Sequence, residues 1–137
     1  MSEIRLYEND YLSIDHDADR AMLVMRWSEA TADMTDAVFK DALEHFAAYA
    51  AEPGASALLV DVRKFRHPVG DDLGVWRGKE ITPRYNDAGV TRFAYIAPPD
   101  MPTPPEGEPL EPLAPNEKFL TRFFGAEEGA VAWLTGD

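Results

Sequence analysis

Ser56-Ala57-Leu58-Leu59-Val60-Asp61-Val62-Arg63-Lys64-Phe65 is the stretch on which the fold turns. Its apolar core is unbroken, Pro53-Gly54 precedes it, and charge returns only at its far end. A run of this length and composition reads as a strand buried on both faces of a sheet flanked by helices, hence as the central strand. In open α/β sheets the loop beyond the carboxyl end of such a strand is the usual place for a site, which directs attention to Asp61 and Arg63.

Upstream, Ile4 and Leu6 alternate with Arg5 and Tyr7, and Tyr11-Leu12-Ser13-Ile14-Asp15 alternates again, as half-buried strands do. The apolar run Ala21 to Trp27 follows a polar linker, His16-Asp17-Ala18-Asp19-Arg20, of hairpin-loop length. The two flanking segments are therefore expected to pair antiparallel. The spacing Asp15, Asp17, Asp19 imitates a calcium loop, but Arg20 stands where its glycine belongs and Arg26 where its last glutamate belongs. A turn is the better reading.

From Asp33 the period lengthens to three and four residues, through Val38, Phe39, Ala42, Leu43, Phe46 and Tyr49, which predicts a helix with one apolar stripe. Asp33 or Thr35 can cap it, Asp36 and Lys40 are spaced for an ion pair, and His45 falls on the polar side. Pro53-Gly54 ends it. Beyond Phe65, the loop Arg66 to Asp72 leads to a helix carrying Leu73, Trp76 and Ile81, with Thr82-Pro83 opening a second short helix and Ala88-Gly89 stopping it. Thr91 to Ala97 is a strand entered from a helix, so parallel to the central one, and Phe119 to Phe124 is the last strand, followed by a helix over Ala126 to Leu134. Residues 98–118 hold eight of the eleven prolines and read as an extended insertion.

One α/β domain spanning residues 1–137 is the result, with a mixed sheet of about five strands, an N-terminal antiparallel hairpin and three to four flanking helices. No apolar run approaches the roughly 20 residues that cross a bilayer. The N-terminus lacks an export signal, so a cytoplasmic, not membrane-spanning protein is expected. With 25 acidic against 13 basic residues the formal charge is −12, which repels phosphate backbones, so nucleic acid is not an expected partner. There is no cysteine, hence no thiolate chemistry.

The combination of Leu58 to Phe65, a tryptophan-bearing helix, Arg92-Phe93-Ala94-Tyr95-Ile96 and the run Phe124 to Leu134 resembles the SpoIIAA-like group of STAS domains over most of the chain. The resemblance implies a small domain that binds rather than catalyses, often as a homodimer, with a fold in some relatives similar to the lipid-carrying Sec14 fold. STAS anti-sigma-factor antagonists switch partners by phosphorylation of a serine at the start of the helix after the central strand. Here Ala57 to Ile81 contains no Ser, Thr or Tyr, so that switch is absent. Asp71 could imitate a phosphate, but helix capping accounts for it as well.

Asp61, Arg63 and His67, with Asp71, Trp76 and Arg77 on the next helix and Tyr95 on the next strand, compose a candidate crevice for a partner or a small anionic or amphipathic ligand. The plainer reading has Asp61 accepting loop amides and Arg63 pairing with Asp71 or Asp72. None of the four serines lies in a Gly-x-Ser-x-Gly turn, and His16, His45 and His67 are scattered, so neither a nucleophile, a metal nor a cofactor is indicated. A hydrolase using Asp61 and His67 would need the imidazole to fold back toward the strand end. The leading expectation is a non-enzymatic STAS-like module binding a partner protein or itself. The alternative is a carrier or sensor of a small apolar or amphipathic ligand, held between the second helix and the sheet near Trp76, Tyr85 and Tyr95.

Overall fold

Six strands lie side by side in the order in which the chain makes them, in a computed structural model that describes residues 3–98 and 117–136. β1 (Glu3–Glu8), β2 (Leu12–Asp17) and β3 (Met22–Trp27) form an antiparallel meander. β4 (Ala57–Asp61), β5 (Arg92–Ile96) and β6 (Leu120–Phe124) then add in parallel, from Met22↔Ala57 to Ile96↔Phe124. The strand expected at the centre is there, between β3 and β5, with Leu58 and Leu59 fully buried on opposite faces. Six strands rather than about five arise because the two alternating segments before Asp15 are separate strands, with a bulge between Arg5 and Tyr7.

The expected hairpin forms, with one correction. His16 and Asp17 belong to β2 rather than to the loop, and the turn begins at Ala18. Both side chains are buried, and both are paired: the His16 ring meets the Gly54 carbonyl oxygen at 2.9 Å, and Asp17 accepts from the Arg20 amide at 3.2 Å and its guanidinium at 3.1 Å. Polar residues enter a strand when such partners satisfy them, which polarity alone cannot announce.

α1 (Asp36–Tyr49) begins where Thr35 Oγ1 accepts the Val38 amide at 3.3 Å. Asp33 instead closes a 3₁₀ turn, Glu29–Asp33. The helix buries Phe39, Ala42, Leu43, Phe46 and Ala47, the predicted stripe, and ends in a wide turn, Ala50–Gly54, where Gly54 takes a φ of 106°. α2 (Asp71–Trp76) passes through a wide turn, Arg77–Ile81, into α3 (Thr82–Ala88), which Gly89 stops with a φ of 86°. Asp71 does not cap α2. Gly70 is the capping position, and Asp71 is an exposed first-turn residue that gains only from the helix dipole.

Two right-handed crossovers stepping the same way along a sheet put their helices on the same face. α1 joins β3 to β4, α2 and α3 join β4 to β5, and all three pack on one side, where Leu12, Ile14, Leu23, Met25, Leu58 and Phe93 meet them. Among the described residues the other face is covered by α4 (Glu127–Leu134), through Ala130 and Leu134 against Met22, Val24, Leu59, Ala94, Ile96 and Phe124. Of the expected proline-rich insertion over 98–118, only Pro98, Glu117 and Lys118 are among the described residues. No helix among these residues is long and apolar enough to cross a membrane.

Candidate ligand-binding site

Alternation decides which side chains can meet. In β4 and its extension, Val60 and Val62 point to the α1 side, so Asp61 and Arg63 point to the α4 side. There Arg63 forks onto Asp61, Nη2 to Oδ2 at 2.7 Å and Nε to Oδ1 at 3.0 Å, and its backbone amide donates to Oδ1 at 3.0 Å. Asp61 therefore accepts a loop amide as expected, but Arg63 turns to Asp61 itself and not to Asp71 or Asp72. Burial opposes ionisation of Asp61. The bonds from Arg63 and the charges of Arg63 and Arg26 outweigh it and hold the carboxyl below the ordinary carboxylate range. Arg26, the cross-strand neighbour of Asp61, ties this corner to Asp15 at 2.9 Å and to Glu127 of α4 at 3.1 Å.

His67 leaves the expected crevice in a third direction. Its Nε2 meets Asp36 Oδ1 at 2.7 Å, at the first turn of α1, and the ring is buried against Phe39 and Phe65. Thr31 Oγ1 accepts the Arg66 amide at 2.8 Å, so the loop after β4 is pinned at two adjacent positions. Asp36 is thereby taken from Lys40, whose ammonium lies over the Trp76 ring at 5.4 Å. An Asp61–His67 pair does not form, and the hydrolase reading loses its dyad.

Beneath that pinned loop, on the α1 side, the structure holds a cavity of about 210 Å³. Met25, Trp27, Val60 and Val62 form its floor, and Phe39, Leu43 and Phe46 of α1 one wall. Phe65 and Val69, the latter half exposed, stand at its rim. The opposite wall is Tyr85, Phe93 and Tyr95, with Arg77. Trp27 and Phe65 meet edge to face at 5.0 Å and Phe93 stacks on Tyr95 at 4.8 Å, so the walls are rigid aromatic planes.

Among the described residues, Arg77 is the sole charged side chain lining it. It sits in the wide turn between α2 and α3, largely buried, with its guanidinium 5.8 Å from the Tyr85 ring centre and 5.6 Å from that of Phe93. Its polar contacts are long: Nη1 to Glu117 Oε2 at 3.4 Å and Nη2 to the Tyr95 hydroxyl at 3.4 Å. Tyr95, Tyr85 and Glu117 raise its pKa against the opposing effect of burial, so it is charged at every pH the fold survives. Burial pushes the Tyr85 hydroxyl up as well, against the pull of Arg77, and it stays a neutral phenol. That hydroxyl is buried with no hydrogen-bond partner among the described residues.

The seven residues singled out in the sequence thus separate. Arg77 and Tyr95 line the cavity, and Trp76 packs beside this core without lining it. Asp61 and Arg63 lie across the sheet, His67 anchors the loop, and Asp71 faces solvent. Parity along 58–63 already placed Asp61 and Arg63 opposite Val60 and Val62. Trp27, Phe39, Phe46 and Phe65 carried no signal beyond that of core residues. Among the described residues no group of three His, Asp or Glu is placed to hold a metal ion. No protein-family model, curated protein or solved structure matches the chain.

Proposed function

We propose that this protein binds a small, mainly apolar ligand in the cavity between the α1–α3 layer and the sheet, as a non-enzymatic carrier or sensor. The observation that carries this is the cavity itself: an apolar, aromatic-walled space of about 210 Å³ with one cation and a rim at Val69. An apolar occupant would cover the aromatic and aliphatic walls of this space and take their apolar surface out of water, the ordinary driving force for such binding. Engineered cavities of about 150 Å³ take up benzene. The occupant suited to this one is therefore about one ring, or a short acyl chain, in size. It is smaller than a membrane lipid.

Toluene is the direct probe. It is expected to raise the melting temperature and to alter the emission of Trp27 in the floor, and Val60→Phe, which fills the space from β4, is expected to abolish both responses while the far-ultraviolet spectrum stays native. A wild-type protein that ignores saturating toluene by both readouts overturns the proposal.

A STAS-like module that docks a partner protein or a second copy is the other reading, favoured by the exposed Val69 and Val75 on either side of the start of α2. A defined dimer by light scattering that Val75→Glu dissociates supports it. A monomer at all concentrations excludes self-association.

A further inference from the structure

Resting on the cavity reading, we infer that the ligand is a small monocarboxylate: one ring or a short chain whose carboxylate is received by Arg77. The polar end of the cavity is made of donors. Arg77 presents five N–H groups on a planar fork, and its two partners sit at 3.4 Å, well outside the roughly 2.7–2.9 Å of a formed charged hydrogen bond. Most of its donor capacity is unspent. Arg77 also lies over the face of Tyr85, whose buried hydroxyl finds no acceptor among the described residues. A cation whose donors are unspent in an apolar wall calls for an acceptor, and a planar two-oxygen anion matches the fork.

The charge of the head group follows from the count of cations. Arg77 already faces the Glu117 carboxylate, and among the described residues no second cation lines the space. The site therefore takes at most one further negative charge, and that only as Glu117 gives up its contact; a phosphate dianion would be left still less compensated. A cationic head would face Arg77 directly. Glu117 shows the preference in the protein itself: it is a buried carboxylate, and its contact with Arg77 is a single long bond of 3.4 Å, one among its interactions. A ligand carboxylate that makes two short bonds displaces that contact, so Glu117 acts as a competitor.

Benzoate, benzyl alcohol and toluene share one ring and differ in the head, and titrating all three against the full chain by calorimetry tests the inference. Benzoate is expected to bind at least tenfold more tightly than benzyl alcohol. Arg77→Met should erase that preference while toluene still binds, and Glu117→Gln should tighten benzoate severalfold and leave toluene unchanged. Should Arg77→Met fail to fold, the wild-type series and Glu117→Gln decide the matter without it. Toluene binding with benzoate no tighter than benzyl alcohol overturns the carboxylate inference and leaves the cavity reading intact. Binding of none of the three overturns the cavity reading as well.

Discussion

Tyr85 and Asp61 place opposite demands on the fold. The Tyr85 ring is fully buried and meets Phe46, Phe93 and Phe119 at 5.8–6.2 Å, whereas its hydroxyl is buried without a partner among the described residues. Such a hydroxyl costs desolvation and returns nothing, so Tyr85→Phe is expected to be neutral or to stabilise by up to about 1 kcal/mol in urea unfolding. Asp61 is the reverse case, a satisfied carboxylate held below its ordinary value of 3.8 by Arg63. Its ionised form stabilises the fold above about pH 4, and that share disappears as the pH falls through the depressed folded value. Asp61→Asn should therefore lie about 1 kcal/mol below the wild type at neutral pH and converge with it in acid. A stability difference independent of pH would show that the charge of Asp61 is not what Arg63 holds. At this scale the sequence was partly legible. That Asp61 accepts loop amides was legible, because a carboxylate at a strand end has them to accept, but Arg63 was expected on Asp71 or Asp72 and binds Asp61 instead. Arg77 and Tyr95 were recognisable as site candidates. The Asp36–His67 contact was not, since it joins residues 31 positions apart and no local period records it.

Elements were read more readily than sites, because each announces itself by period and punctuation. The α1 stripe, the Gly89 stop and the helix of residues 127–134 follow from spacing and from the one residue that accepts a positive φ. β4 is the element on which the rest is assembled. Leu59 is buried beneath α4, and truncating it to Ala leaves a hole between two layers that cannot collapse independently, which is expected to cost about 2–5 kcal/mol. Leu120 on the edge strand β6 is 44% exposed, and the same truncation there should stay within about 1 kcal/mol. Equal losses by calorimetric melting would contradict the two-sided burial of β4. The boundaries that sequence reading misplaced, at His16 and Asp71, share one cause: a polar residue was read as loop or cap, and its actual partner lay in another element or in solvent.

Across the whole molecule the two faces of the sheet are unequal. Three helices and the cavity occupy one face, and one helix covers β4 to β6 on the other. Over β1, β2 and the end of β3 at Arg26 the second face carries arginines among the described residues: Arg5 and Arg26 on Asp15, Arg20 on Asp17, and Arg26 on Glu127. These explain how a chain of charge −12 holds Asp15 and Asp17 under its surface. The sequential strand order has a kinetic meaning too. A chain leaving the ribosome lays each new strand beside one already in place, so assembly can proceed from the N-terminus with no strand waiting for a neighbour yet to be synthesised. Among the described residues, the apolar surface that α4 covers stays wet until α4 itself is made, so a nascent chain stalled after β6 would expose it to its neighbours.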